Sequence, residues 1–286
     1  MDLSRVGAVT TKSITVEPRE GNAAMRVAPV AAGMLNAIGL ANPGIDAFAA
    51  EVAPRARAMP CRVIGSAAGF SVADYERVAA ALAACDGIDA VELNVSCPNV
   101  HGGPEFGADV GALAEVVKAA RAAMGERPDG SGGGKPLLVK LPPVAIGTPT
   151  DMVTLARAAI EAGADVLTLC NTMPGMGIDV HSRKPLLGNV TGGLSGPAVH
   201  PVVLRLIHFV YQGVARDAGI PIVGLGGVLH WEDAAAFILA GATAVGVGTA
   251  TFADTRRPAK VARGLQRWAR SQGVGSIAEL VGSLET

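Results

Sequence analysis

The chain has 286 residues, half of them hydrophobic, which is ample for one large buried core, and a formal net charge of −1 with no block of like charges. That balance argues against nucleic acid or a membrane surface as the main partner and points to a small solute. Aromatic residues make up only 3% against 37 glycines, which suits tightly wound helix–strand crossings and not a surface for stacking bases. The start, with Asp2 and Arg5, is no signal peptide, and no charge-free apolar run reads as a membrane span, so a cytoplasmic protein is expected. Cys61, Cys85, Cys97 and Cys170 show neither C-x-x-C spacing nor a paired framework, so no metal site is expected.

In chain order, residues 6–11 read as a short strand finishing at Lys12, and 16–42 as an irregular excursion rich in Pro, Gly and Asn. Residues 45–59 have helical spacing, 61–66 form a strand and 72–84 an Ala-rich helix. The apolar run 88–95 is a buried strand that stops at a polar tip, where Pro98 holds the Cys97 thiol on a tight loop between Asn94 and Asn99. A helix over 111–124, a glycine-rich turn over 129–134 and a strand over 136–141 carrying Lys140 follow. Then come a helix (151–161), a strand (166–170) ending at Asn171 and a hairpin-like insertion (178–189). A helix (201–217), a strand (220–225), a helix (231–240) and a strand (242–247) precede closing helices. Strands alternating with helices mean a parallel sheet. The count of about seven is one short of the eight that close a barrel, so the first β/α unit is expected before residue 1 and the protein is expected to extend upstream of Met1.

Chemistry concentrates at the strand ends, where barrel enzymes keep their sites. The last two strands end in Gly226-Gly227 and Gly248-Thr249, where backbone N–H groups can approach a phosphate closely, and Gly196 lies in a third glycine cluster. Lys12 and Lys140 stand in apolar surroundings, and a buried ammonium needs an electron-rich partner: a flavin ring, or a carbonyl substrate held as a Schiff base. Asn36, Asn94, Asn99 and Asn171 read as a cage for a planar molecule with amide and carboxylate groups.

The segments KSITVEPREGN (12–22), AGMLNAIGLANPG (32–44), ELNVSCPNVHGG (92–103), VKLPP (139–143), NTMPGMGIDVHSRKPLLGNVTGGLSGPA (171–198), PIVGLGG (221–227) and AGATAVGVGTA (240–250) follow one another almost end to end. In that series the chain resembles the class 1 dihydroorotate dehydrogenases. The resemblance implies a single-domain α/β TIM (β/α)8 barrel over 1–286 that binds FMN and oxidises dihydroorotate to orotate. It implies Cys97 as the base that takes the C5 proton while C6 delivers hydride to flavin N5. Lys12, Asn36, Ala37, Ile38, Gly39, Leu40, Asn94, Asn99, Asn171 and Thr172 are then the substrate contacts. Lys12, Ser13, Ser66, Asn94, Lys140, Cys170, Gly196, Gly226, Gly227, Gly248 and Thr249 are the cofactor contacts. Ser66 and Pro142-Pro143 stand where close relatives of the family carry Asn and Ser-Pro. Cys97-Pro98-Asn99-Val100 with Gly102-Gly103 and Phe106-Gly107, together with Arg183-Lys184-Pro185, look like the NAD-linked subclass, which pairs the FMN subunit with an FAD and iron–sulfur electron-transfer subunit. A homodimer or a heterotetramer is expected on that basis. The other readings are a flavin reductase acting on another dihydropyrimidine, a lysine-dependent aldolase using Lys140, and an inactive paralogue.

Overall fold

The elements follow from local caps and apolar spacing. Ser71, Asp109 and Asp151 each accept a hydrogen bond from the backbone N–H three residues on, at 3.2, 2.8 and 2.8 Å, and so start the helices Val72–Ala84, Val110–Ala123 and Met152–Glu161. Behind each cap the buried positions recur at i, i+3, i+4 and i+7: Tyr75, Val78, Ala79 and Leu82 in the first helix, and Leu113, Val116, Val117 and Ala120 in the second. One face of each helix is thereby committed to the sheet.

The computed structural model describes residues 2–96, 106–125, 134–143 and 151–285. Its strands are β1 (Ala8–Thr10), β2 (Val27–Val30), β3 (Gly33–Asn36), β4 (Arg62–Ala67), β5 (Ala90–Asn94), β6 (Leu137–Lys140), β7 (Val166–Leu169), β8 (Met173–Met176), β9 (Ile178–Asp179), β10 (Lys184–Pro185), β11 (Thr191–Ser195), β12 (Ile222–Leu225) and β13 (Ala244–Gly246). Seven of these form one sheet in the order β1-β4-β5-β6-β7-β12-β13, with every pairing parallel. The helices lie against it, and the curled sheet is the wall of a TIM-type barrel whose strands all finish at one end.

Close helix–strand approach depends on small residues at the crossings. A Cβ on Gly224 of β12 would stand 2.7 Å from the Phe237 ring and 2.9 Å from Ile207, so this crossing admits only glycine at its present spacing. At the opposite end Arg121 joins three elements. It donates to the carbonyls of Gly163 (2.9 Å) and Lys135 (3.1 Å) and pairs with Asp165, which accepts from Leu137 N–H at 2.7 Å.

The excursion 16–42 is more regular than the sequence indicates. Its β2 and β3 join β11 and β8 in a four-stranded antiparallel sheet ordered β2-β3-β11-β8, with the short β9–β10 pair beside it. This sheet has a small core of Ala28, Leu35, Ala37 and Leu187 and stands over the C-terminal ends of the barrel strands. The helical run 197–218 is, among the described residues, the one helix long and apolar enough by composition to cross a bilayer. Here it buries Val203, Leu206, Ile207 and Val210 against the body of the barrel.

Candidate active site

At the C-terminal ends of β1, β4, β5 and β7 the side chains turn polar together, and each satisfies the next. Ser66 and Ser13 share a hydrogen bond of 2.9 Å, and Asn94 Nδ2 donates to Ser13 Oγ at 3.0 Å. Asn171 Nδ2 lies 3.1 Å from Asn94 Oδ1, 2.8 Å from Ser96 O and 2.7 Å from Ser96 Oγ, while its own Oδ1 accepts from Thr172 N–H at 2.8 Å. Tyr75 braces the assembly from behind, donating its buried hydroxyl to Asn94 O at 2.8 Å. Thr11 does the same for Ser66, accepting from its N–H at 3.1 Å. A chain of this kind fixes side-chain orientation, because no member can turn without orphaning a buried neighbour.

Beside this network lies a cleft of about 480 Å³. Its walls are apolar, with Val27, Met34 and Leu194 from the small sheet facing Leu225 and Val228, and Phe252 at 80% exposure stands at the rim. Lys140, Cys170, Asn171 and Thr172 line one part of it. Gly196, Gly226, Gly227, Gly246, Gly248 and Thr249 line another. At Gly227, with φ 73°, a Cβ would lie 2.7 Å from His200 Cβ and 2.8 Å from Gly196 O, so only glycine keeps this corner as tight as it is. The space beside Gly248 is open, with only Leu225 Cδ1 as near as 3.9 Å to a Cβ placed there. Thr249 Oγ1 donates to Ser195 Oγ at 2.8 Å, and Ser195 Oγ donates to Met34 O at 3.2 Å, joining β13 to the small sheet across the cleft. Burial pushes the Cys170 thiol up to about 12, against which the nearby Lys140 charge is a smaller opposing influence, so Cys170 is a neutral wall group at physiological pH.

The site residues expected from the sequence fall into three groups. Lys140, Cys170, Asn171, Thr172, Gly196, Gly226, Gly227, Gly248 and Thr249 line the cleft, and Ser13, Ser66 and Asn94 join it through hydrogen bonds. Lys12 sits beside Ser13, just past the end of β1; it is exposed and Lys140 is half-buried, so neither is the buried ammonium that the apolar sequence context suggests, because both stand at strand ends that open on the mouth of the barrel. Asn36 reaches over from β3, donating to Gly193 O at 3.2 Å. In the adjoining loop Ala37 and Leu40 are buried, so this segment presents backbone and Ile38 rather than those side chains. The loop is held by Asn22, whose N–H donates to Ile38 O and whose Nδ2 donates to Ala37 O. Cys97 and Asn99 lie outside the described residues. Reading the sequence alone misses Ser96, Tyr75, Thr11 and the cross-cleft role of Ser195; only Ser96, next to Cys97 on the same polar tip, carried a usable signal.

The dihydroorotate dehydrogenase family profile matches residues 1–268. The chain belongs to the dihydroorotate dehydrogenase family. With that membership comes the enzyme class, an FMN-dependent oxidoreductase. The chain is 44% identical over 286 residues to the dihydroorotate dehydrogenase B (NAD(+)) catalytic subunit of Trichlorobacter lovleyi, covering all of this chain and 88% of that one. It is 42% identical to the same subunit from Bacteroides thetaiotaomicron, covering all of this chain and 89% of that one. Among solved structures it resembles a dihydroorotate dehydrogenase from Eimeria tenella in complex with ferulenol, with a TM-score of 0.81 at 21% identity over 98% of this chain and 79% of that one. This last likeness carries the fold.

The cleft fits the family's cofactor. A glycine-lined end with open space beside Gly248 suits a phosphate, apolar walls suit a flat ring, and a lysine beside a set of fixed amides suits the ring's polar edge.

Proposed function

We propose that this chain is the catalytic subunit of an NAD-linked dihydroorotate dehydrogenase, one FMN-binding domain over residues 1–286, which oxidises dihydroorotate to orotate in pyrimidine biosynthesis. The observation that carries the reading is the Asn94–Asn171–Ser96 cluster standing beside Lys140 at the edge of the glycine-lined cleft. Bound FMN supplies the two-electron acceptor. Gly196, Gly226, Gly227, Gly248 and Thr249 would hold its phosphate and ribityl chain, Cys170 would line its pocket, and Lys140, with Lys12, Ser13 and Ser66, would meet its polar edge.

The substrate's planar amide and carboxylate groups are oriented by Asn94, Asn99, Asn171 and Thr172, with Lys12 and the 36–40 loop closing the other side. Fixed amides supply orientation, and orientation lowers the barrier because no solvent or side chain has to reorganise as the reaction proceeds. Cys97 acts as the base, taking the C5 proton as the C6 hydrogen leaves with its electron pair. A thiol has a reference pKa of about 8.5, close enough to neutrality for nearby donors to make it competent.

The relatives are named as catalytic subunits, and we place beside this chain an electron-transfer subunit carrying FAD and an iron–sulfur cluster, in a cytoplasmic heterotetramer. The test is orotate formation by the FMN-loaded chain with an artificial electron acceptor, followed by chromatography. Orotate is expected from dihydroorotate and no product from dihydrouracil, which lacks the carboxylate. Equal turnover of both would replace this reading with a general dihydropyrimidine oxidoreductase.

A further inference from the structure

Among the described residues, Glu92 is the one charged side chain in the buried core, at 5% exposure. It stands on β5, inside the barrel, where layers of branched apolar side chains from alternate strands normally fill the space. Its partner in such a layer is Thr168 of β7, whose Oγ1 donates to Glu92 Oε2 at 2.8 Å. The strand between them, β6, carries Lys140. Lys140 is in register with Asn94 on one side and Thr168 on the other, whereas Glu92 pairs with Leu138, two residues earlier. The carboxylate therefore crosses the barrel one step below the lysine that lines the cleft. Removing a carboxylate from water is unfavourable, and the single hydrogen bond from Thr168 offsets only part of that. A leucine here would pack without that penalty.

We infer that Glu92 is a positioning residue for Lys140: its carboxylate, anchored by Thr168, offsets part of the ammonium's charge from below and fixes where the lysine meets the cofactor, and so helps to set the flavin's reduction potential. This rests on the placement of FMN over Lys140 given above. A lysine left without its counter-charge presents more positive charge to the ring and favours the electron-rich, reduced state.

The test is a redox titration of the FMN-loaded protein. Glu92→Gln keeps shape and a hydrogen-bond acceptor and removes the charge; its potential is expected to shift to more positive values, with thermal stability held or raised. Thr168→Val is isosteric and leaves the carboxylate unanchored, free to swing away from the lysine; the same direction of shift is expected. Lys140→Met should move the potential the opposite way, and adding Glu92→Gln to it should produce less than half of the shift seen in the native background. A wild-type potential in Glu92→Gln beside a shifted Lys140→Met would overturn the inference alone. An unshifted Lys140→Met would remove the flavin from Lys140 and take both readings down. If neither Glu92→Gln nor Thr168→Val retains FMN, the pair is a packing feature and the inference also falls.

Discussion

Replacing Asn171 by Asp changes one NH2 to an oxygen and leaves the shape intact, yet it should disable the site. The native amide points its two N–H bonds at three acceptors, Ser96 O, Ser96 Oγ and Asn94 Oδ1, all within 3.1 Å. A carboxylate gives none of these. The Ser96 hydroxyl donates to Asn94 Oδ1 at 3.4 Å and can keep that bond or turn to the new group but not both, so one of these two is left without it, while Ser96 O faces a negative charge with no donor; Asn94 and Ser96 are both buried. Each orphaned buried acceptor costs about 1–3 kcal/mol, so the chain should lose about 2–6 kcal/mol of stability in chemical denaturation with an unchanged m-value. Orotate formation should fall by more than tenfold, since about 1.4 kcal/mol of lost orientation already gives that factor. A stability change below about 0.5 kcal/mol together with full activity would refute the claim that this hydrogen-bonded chain organises the site.

Other substitutions address the remaining parts. Gly227→Ala puts a Cβ 2.7 Å from His200 Cβ at a φ of 73° and should weaken FMN binding at least tenfold. Gly219→Ala, at a similar φ of 66° with nothing within 4 Å, should lower stability by about 1 kcal/mol and leave FMN affinity unchanged in a fluorescence titration. The Cys170 proton is held more tightly in the folded chain, its pKa pushed up to about 12 by burial, so its stabilisation is fully present below the ordinary thiol range and is lost as pH rises toward 12. Cys170→Ala should therefore flatten the alkaline limb of a stability–pH curve; an unchanged limb would mean the thiol is not sealed from solvent. Cys97→Ser should keep FMN but slow dihydroorotate oxidation near neutral pH, with partial recovery at high pH, and unchanged turnover would take Cys97 out of the mechanism.

What could be read in the sequence depended on how local its cause was. The helices 72–84 and 231–240 are found at their full extent because apolar spacing and flanking polar or glycine residues lie within a few positions of one another. Strands β2, β3, β8 and β11 were not legible. They are short, contain Pro29, Pro174 and several glycines, and exist only because Asn36 and Gly193 pair across 157 positions of chain. The site shows the same division. Ser66, Asn94, Lys140 and Asn171 stand out as polar ends of apolar strands, whereas Thr11 is a common residue type whose role appears only when Ser66 arrives beside it from another strand. Glu92 is the extreme case: the run 88–95 reads as a buried strand, but nothing local says that its one carboxylate takes an interior position, and only the three-dimensional arrangement puts it in the barrel interior.

The most direct test of the central claim is the visible absorption of the FMN-loaded chain before and after anaerobic addition of dihydroorotate, with no other protein present. Loss of the yellow absorbance at a rate that Cys97→Ser and Asn171→Asp both reduce is the expected result. A flavin that stays oxidised in the wild-type chain at saturating dihydroorotate would contradict the account.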